Sequence, residues 1–174
     1  MPSHVSVISA NTPDWSREAV VDGQWIPAKF LLSAIRDWQR HEQRGGLWAT
    51  ALQKVAVLRY RFWSAVSGAD IPLNSQIGGG LMLPHPNGVV IHPRARIGVN
   101  CLILQQVTIG VVGELEPPTI GGHVDIGAGA KILGPVKIGN HAKIGANAVV
   151  LCDVPDGATA VGIPARVITR TPPV

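Results

Sequence analysis

The sequence has few aromatic and few charged residues, and these shortages limit the kind of fold that it can form. Aromatic side chains make up 5% of the 174 residues and charged side chains 15%, whereas 46% of the residues are hydrophobic. A chain this apolar can bury a core, so disorder along its whole length is excluded. The core must then be aliphatic, while 20 Gly and 14 Pro indicate many tight corners. We expect one domain, or one core with a short appendage.

Cysteines and long apolar runs are also scarce. The two cysteines, Cys101 and Cys152, are too far apart in the sequence for a zinc-binding motif, so reduced thiols are expected. No apolar run approaches the roughly 20 residues that span a membrane, and the amino terminus lacks the basic start and apolar stretch of a signal peptide. The sequence therefore predicts a cytoplasmic location.

Positive charge is present but is not concentrated. The net charge is +4 and the sequence pI is about 9.5. Residues 1–69 carry eight Lys or Arg and five Asp or Glu, and residues 70–174 carry seven and six. Without a basic block, no nucleic-acid partner is expected, and the small excess suits an anionic small molecule such as a nucleotide cofactor.

The composition changes near Gly68. All five Trp, both Phe and the only Tyr precede this residue, whereas most of the glycines follow it. Before it, a first apolar row, Leu31, Leu32, Ile35 and Trp38, lies at helical spacing, and a second apolar row at helical spacing comes later. The second row consists of Leu47, Ala51, Leu52, Val55, Leu58 and Phe62. We therefore predict a helical hairpin within a short N-terminal α-helical segment at residues 1–69.

After residue 70 an aliphatic residue recurs at every sixth position, and a small residue stands four positions after most of them. An internal period of this kind indicates a repeat architecture. The aliphatic positions are Ile71, Ile77, Leu83 and Val89, then Ile91, Ile97, Ile103 and Ile109, then Ile120, Ile126, Ile132, Ile138, Ile144 and Val150. The pattern predicts flat strands and tight corners, three sides to a coil, with the coils stacked about 4.8 Å apart as a solenoid.

One interval breaks the period strongly. Ile109 and Ile120 are 11 positions apart instead of six, which predicts a loop at residues 111–119. Insertions in a repeat array usually lie on its ligand-binding surface. We place the solenoid at residues 70–168, which gives about five coils, and a C-terminal tail at residues 169–174.

Four strings are more specific than the period. They are Leu83 to Ile91 (LPHPNGVVI), Gln106 to Gly110 (QVTIG), Ile126 to Gly134 (IGAGAKILG) and Val161 to Arg166 (VGIPAR). On these strings the sequence resembles the hexapeptide-repeat acyltransferases, most closely the serine acetyltransferase-like branch, and is similar to the exopolysaccharide and colanic-acid-type O-acetyltransferases. The resemblance implies a mainly β fold, a left-handed parallel β-helix, in a homotrimer with active sites in the clefts between neighbouring prisms.

The resemblance also implies the chemistry. The histidine of the first string acts as general base in this family and an aspartate 15 positions earlier supports it, which here gives His85 and Asp70. Acetyl-CoA is the expected co-substrate, and backbone N–H groups near Gly110 and Val111 are expected to stabilise the oxyanion. Neither cysteine has the features of an activated nucleophile, so direct transfer without an acetyl-enzyme is expected.

The remaining site residues follow from the same resemblance. The expected CoA contacts, besides Gly110 and Val111, are Ala128, Lys143, Ala146 and Arg166. The expected acceptor contacts are His92, Asn87 and Glu116. Cations suit the phosphates of CoA. No metal is expected, because His123 and His141 stack on one column without a carboxylate to complete a site.

The acceptor is the point at which the sequence departs from serine acetyltransferases. Pro84 stands where those enzymes have an acidic residue that helps to hold the amino group. Glu116 and Pro117 stand where they have an Arg-His pair whose arginine reads the serine carboxylate, and a glutamate there would repel it. We therefore expect acetyl transfer to a hydroxyl of a sugar or exopolysaccharide precursor. Serine O-acetylation, as in cysteine biosynthesis, and a non-catalytic trimeric β-solenoid scaffold are the alternatives.

Two further expectations concern partners. The tail stops soon after the Pro-Ala-Arg string, so no cysteine synthase complex is expected. Four aromatic residues of the helical segment, Trp25, Phe30, Trp38 and Trp63, leave open a peripheral contact with membrane-bound glycan machinery.

Overall fold

The computed structural model describes residues 8–21, 23–44 and 46–168. A short 3-10 helix at Trp15–Arg17 precedes two α-helices, α1 (Pro27–Glu42) and α2 (Leu47–Ser67). Pro27 suits the first turn of α1, because a proline there sacrifices no intrahelical hydrogen bond. α2 ends at Gly68, whose φ of 67° is the left-handed cap that glycine adopts without steric cost.

After α2, the described part of the chain forms thirteen strands of two or three residues each. They are β1 (Gln76–Ile77), β2 (Val90–Ile91), β3 (Arg96–Ile97), β4 (Leu102–Ile103), β5 (Thr108–Gly110), β6 (Thr119–Ile120), β7 (Asp125–Ile126), β8 (Lys131–Leu133), β9 (Lys137–Ile138), β10 (Lys143–Ile144), β11 (Val149–Val150), β12 (Thr159–Val161) and β13 (Arg166–Ile168). The strands are short because a corner follows each aliphatic position.

The strands stack into three parallel sheets, one for each side of the coil. Sheet I contains β1, β3, β6 and β9; sheet II contains β4, β7, β10 and β12; sheet III contains β2, β5, β8 and β11. From β2 to β11 the chain visits the three sheets in turn. At the two ends an isolated parallel bridge, Met82 to Leu102 in the first coil and Val154 to Ile138 in the last, takes the place of a strand. This order confirms the predicted parallel solenoid, while the number of complete coils stays a prediction. An antiparallel strand, β13, was not predicted; it pairs with β12 through Val161 and Arg166.

The aliphatic residue of each hexapeptide points into the solenoid. Ile91, Ile109, Ile132 and Val150 are paired in register through sheet III and are all buried. The small residues that stand four positions after the aliphatic residues of the repeat are buried too. They include Ala95, Cys101, Val107, Ala130, Ala142 and Ala148. The period therefore predicts the core because only a small side chain fits the constricted corner beside each aliphatic one.

A buried ion pair attaches the N-terminal segment to the solenoid. The Arg36 guanidinium lies 2.9 Å from Glu18 and donates to the carbonyl oxygens of Ile77 and Gly78 at 2.7 and 2.8 Å. Glu18 also accepts a hydrogen bond from the Leu81 N–H at 3.0 Å. Both charged groups are thus compensated by several hydrogen bonds, which a buried charge requires.

The two helices differ in what their apolar residues contact. α1 directs Leu31, Leu32 and Ile35 into the same core as Ile71 of the first coil. α2 packs against α1, but the apolar row that predicts α2 faces solvent and not the core. Neither α1 nor α2 is long and apolar enough to cross a membrane, and the described residues include no other helix that is.

Candidate active site

His85 lies on the corner between sheets II and III. Leu83 and Val89, on either side of it, are buried and anchor the segment in the core. The Val89 N–H donates to the Pro86 carbonyl at 3.1 Å, and the Gly88 N–H donates to the Gly68 carbonyl at 2.8 Å. The imidazole itself is exposed in the single chain. A hydrogen-bonded turn therefore holds the backbone of His85 in place, while its side chain stays accessible to a ligand.

Asp70 begins sheet III beside the same corner. Its N–H donates to the Val89 carbonyl at 2.8 Å, and its carbonyl accepts from the Ile91 N–H at 2.9 Å. The carboxylate is exposed, and the single chain shows no side-chain hydrogen bond between it and His85 within the described ranges. The backbone brings the two residues to one corner, but their predicted partnership stays a prediction.

Tyr60 of α2 is a residue near this corner that the sequence analysis missed. Burial raises the pKa of its hydroxyl above the ordinary value, and the Asp70 carboxylate raises that pKa further. Asp70 therefore lies within electrostatic reach of α2. No sequence signal could have found this proximity, because it depends on how α2 enters the first coil.

The opposite edge of sheet III carries a second group of predicted residues. His92 lies on the corner between sheets III and I, and its Nδ1 accepts a hydrogen bond from the Arg94 N–H at 3.2 Å. Gly110 ends β5 at this corner, and Val111 follows it. Because Nδ1 is the acceptor, the proton of a neutral His92 ring resides on Nε2.

Glu116, in the loop between β5 and β6, is paired with a cation. The Arg94 Nη1 lies 3.2 and 3.1 Å from the two Glu116 carboxylate oxygens. Arg94, Arg96 and Glu116 border a cavity of about 350 Å³, whose other lining residues are Gln76, Pro117 and Thr119. Two guanidinium groups and one carboxylate leave this cavity with one excess positive charge.

This pairing changes the expectation about the acceptor. The sequence analysis treats Glu116 as a free negative charge that would repel a carboxylate, whereas Arg94 neutralises it. Sequence analysis missed Arg94 because its pairing with Glu116 depends on the inserted loop. The loop shifts the register between neighbouring coils, so that Arg96 pairs with Thr119 and not with a residue 18 positions later. The ion pair is exposed, so it contributes little to the stability of the fold.

The expected CoA contacts fall into two groups. Ala128 and Ala146 stack on the corner between sheets II and III, where the Asn147 N–H donates to the Ala128 carbonyl at 2.8 Å. Lys143 in β10 and Arg166 in β13 lie on sheet II, adjacent to that corner. Gly110 and Val111 lie on the other edge of sheet III, with His92 and Glu116. A single chain thus places His85 and the stacked alanines at one edge of sheet III, and Gly110 and Val111 at the other.

The cysteines lie in different environments. Cys101 is buried, and its Sγ contacts the Gly121 carbonyl at 3.2 Å, whereas Cys152 is exposed. Burial is the main cause that raises the pKa of the Cys101 thiol to about 11. Burial thus keeps the Cys101 thiol protonated, whereas a nucleophilic thiol needs a lowered pKa.

We expect a thiol reagent at pH 8 to modify Cys152 and leave Cys101 unmodified in the folded protein. A thiol with a pKa of about 11 is almost entirely protonated at that pH, and the thiolate is the reactive form. Counting the labelled thiols by mass spectrometry before and after denaturation tests this. One label in the folded protein and two after unfolding is the expected result, and rapid labelling of Cys101 in the folded state would contradict it.

His123 and His141 meet on the corner between sheets I and II. Their Nδ1 atoms lie 2.8 Å apart, so one ring donates a hydrogen bond to the other. Burial lowers the pKa of His123, which keeps that ring neutral and suits such a bond. Among the described residues, no group of three potential ligands surrounds them.

Comparisons with known proteins follow the same repeat. The family model for the bacterial transferase hexapeptide (six repeats) matches residues 117–152. A serine acetyltransferase of Helicobacter pylori strain J99 is 42% identical over 133 residues, which are 75% of this chain and 74% of that protein. The first curated relatives are longer: this chain spans 42%, 59% and 45% of their lengths.

Solved structures agree with the sequence relatives. Soybean serine acetyltransferase, as the apoenzyme, is 40% identical with a TM-score of 0.68, and the match covers 82% of this chain and 57% of that one. A serine acetyltransferase solved in complex with CoA is 37% identical with a TM-score of 0.68, covering 83% and 58%. These matches imply that the solenoid is left-handed, and they confirm the predicted resemblance. The chain belongs to the hexapeptide-repeat acyltransferase family, in the branch that contains the serine acetyltransferases.

Proposed function

We propose that the protein transfers an acetyl group from acetyl-CoA to the hydroxyl of a small acceptor, with L-serine as the first candidate. The observation that carries the proposal is the match to serine acetyltransferases over three quarters of this chain. The relatives do not support the sugar acceptor that the sequence analysis favours. The ion pair between Arg94 and Glu116 also removes one of the two reasons for preferring a sugar.

In the proposed mechanism His85 acts as general base. Its neutral imidazole takes the proton of the acceptor hydroxyl while the oxygen attacks the thioester carbonyl of acetyl-CoA. The tetrahedral intermediate then collapses, the carbon–sulfur bond breaks, and the imidazolium returns the proton to the leaving thiolate of CoA. Asp70 supports the imidazolium through its negative charge, and backbone N–H groups at Gly110 and Val111 stabilise the oxyanion.

The site is proposed to be completed by two chains of a homotrimer. His85 and Gly110 lie at opposite edges of sheet III, so one chain cannot place both beside one thioester. If each edge faces the opposite edge of a neighbour, His85, Ala128 and Ala146 of one chain meet the Glu116 loop of the next. Lys143 and Arg166 then lie where cations can pair with the phosphates of CoA.

A sugar hydroxyl is the second candidate acceptor, and Pro84 favours it. An acidic residue beside the catalytic histidine would hold the amino group of serine, and proline has neither a charge nor an N–H group to replace it. A sugar without such an amino group makes no contact with that acidic residue, so its binding does not depend on whether the position is acidic or proline.

Release of the CoA thiol from acetyl-CoA, with L-serine and with a sugar panel as separate acceptors, tests the proposal. Turnover with L-serine is expected. Turnover with sugars alone would show that the acceptor is a sugar and not L-serine. Absence of both turnover and acetyl-CoA binding would support the non-catalytic scaffold.

We expect Arg94→Ala to raise the KM for L-serine by about 10-fold to 100-fold, which corresponds to the loss of one charge-assisted hydrogen bond. The KM for acetyl-CoA should change little, since Arg94 borders the cavity and not the stacked alanines. Steady-state kinetics with both substrates varied measure the two constants. Arg40→Ala is the matched control, because Arg40 also forms an exposed ion pair, with Asp37, but on α1. An unchanged KM for L-serine in Arg94→Ala would remove Arg94 from the acceptor site.

A further inference from the structure

α2 exposes a row of large apolar side chains along its length. Leu47, Trp48 and Leu58 are 90%, 86% and 71% exposed. Together with them, Leu52, Val55, Phe62 and Val66 form what we call the α2 apolar face. Trp48, Val55 and Phe62 repeat every seven residues, so they lie in one line along the helix. A continuous apolar surface of this kind marks a binding site on a protein surface.

The opposite side of α2 is already occupied. Ala49, Ala56 and Ser67 are buried on that side. Arg59, seven residues after Leu52, lies in line with the α2 apolar face and pairs with Asp37 of α1 at 2.6 Å. The helix therefore has one packed side and one apolar side in solvent. A surface that binds the α2 apolar face must do so from one side, with the helix lying flat on it.

The charges that α2 itself carries are of one sign. α2 contains Lys54, Arg59 and Arg61 and no Asp or Glu. Lys54 and Arg61 are two helical turns apart on one flank of the face, and neither has an ion pair within the described residues. Exposed apolar side chains flanked by unpaired cations complement a surface that is apolar inside and negatively charged outside.

Tryptophan extends this surface beyond α2. Trp25, which precedes α1, is 70% exposed, and its ring lies 5.3 Å from that of Trp63. Trp63 in turn contacts Phe62 of the α2 apolar face, with ring centroids 5.0 Å apart. Tryptophan favours the boundary between the hydrocarbon and the headgroups of a bilayer, since its ring is apolar and its N–H donates a hydrogen bond.

We propose that the α2 apolar face binds an anionic lipid surface, with α2 lying in the plane of the membrane. A second copy of the chain complements the face less well, because two α2 helices in contact would bring their cations together without a carboxylate on either helix. Anionic headgroups supply that charge, and the acyl region accepts Trp48, Leu58 and Phe62. The proposal is independent of the acetyl-transfer chemistry, which lies at the corners of the solenoid.

Co-sedimentation of the full chain with lipid vesicles tests the proposal. We expect binding to vesicles of phosphatidylcholine mixed with phosphatidylglycerol, much weaker binding to phosphatidylcholine alone, and a decrease at high salt as the cations are screened. His85→Ala should bind vesicles as the unchanged protein does.

Matched variants locate the binding surface. Leu58→Glu should weaken binding to the mixed vesicles by at least about tenfold, because a carboxylate would enter the acyl region beside anionic lipid. Leu151→Glu is the control: Leu151 is also an exposed leucine, at 53%, but lies on the solenoid. Because both side chains are exposed, both variants should keep the circular dichroism spectrum and melting temperature of the unchanged protein.

Three results would overturn the proposal. The first is equal weakening by Leu58→Glu and Leu151→Glu, and the second is equal binding to vesicles with and without phosphatidylglycerol. The third is no vesicle binding together with an oligomer, measured by light scattering, that Leu58→Glu dissociates. That last result would assign the α2 apolar face to contacts between copies of the chain.

Discussion

His85→Ala is expected to lower kcat for acetyl transfer by about 100-fold to 10,000-fold, which is the usual contribution of a general base. In the proposed mechanism His85 is the base, and its sequence neighbours Pro84 and Pro86 cannot replace it, because proline has no titratable side chain. The KM for acetyl-CoA should change much less, because the stacked alanines and the cations of sheet II remain in place.

The release of CoA thiol by the purified variant measures this effect, and acetyl-CoA binding by calorimetry separates lost chemistry from lost binding. His41→Ala, on α1 and outside the proposed site, is the matched control and should keep full activity. Asp70→Asn should retain more activity than His85→Ala, since it removes the charge behind the base and not the base itself. If His85→Ala kept most of its kcat, the base would have to be sought on the other corner, where His92 lies.

The period of six predicts the fold because it records a local rule. Each hexapeptide needs one aliphatic side chain inside and one small side chain at the corner, whatever the rest of the chain does. The strands, the three parallel sheets and the burial of Ile91, Ile109 and Ile132 follow from that rule alone. The loop before β6 could be predicted in the same way, because five extra residues cannot remain in a coil of fixed length.

The contacts between coils and between segments could not be predicted from the period. Arg94 and Glu116 meet because the loop returns across a corner, and no sequence spacing gives that distance. The apolar row of α2 has the spacing of a core-facing helix, yet the α2 residues that pack on the core are Tyr60 and Trp63, whereas Trp48 and Leu58 remain in solvent. Helical periodicity shows that an apolar face exists, but not which surface it contacts.

The corner between sheets I and II sets a limit on side-chain size that predicts a large effect on stability. A Cβ atom on Gly98 would lie 2.5 Å from the carbonyl carbon and oxygen of Gly121 and 2.6 Å from the Gly122 nitrogen. All three are backbone atoms of the next coil. That coil is held in place by backbone hydrogen bonds, among them the bond of 2.8 Å that the Gly98 N–H donates to the Ile120 carbonyl. They cannot move away without stretching the hydrogen bonds that stack the coils about 4.8 Å apart.

We therefore expect Gly98→Ala to lower the free energy of unfolding by roughly 3 kcal/mol, the upper part of the range for forcing atoms into a packed site. For a chain of this size that corresponds to a fall in melting temperature of about 6 to 12 °C. Thermal and urea unfolding followed by circular dichroism measure it. Gly113→Ala is the matched control, because a Cβ there meets nothing within 4 Å. Its φ of 58° still makes alanine unfavourable, by about 1 kcal/mol. A loss in Gly98→Ala no larger than in Gly113→Ala would mean that neighbouring coils can separate at this corner, and that spacing there is set by side-chain packing instead of by the backbone ladder.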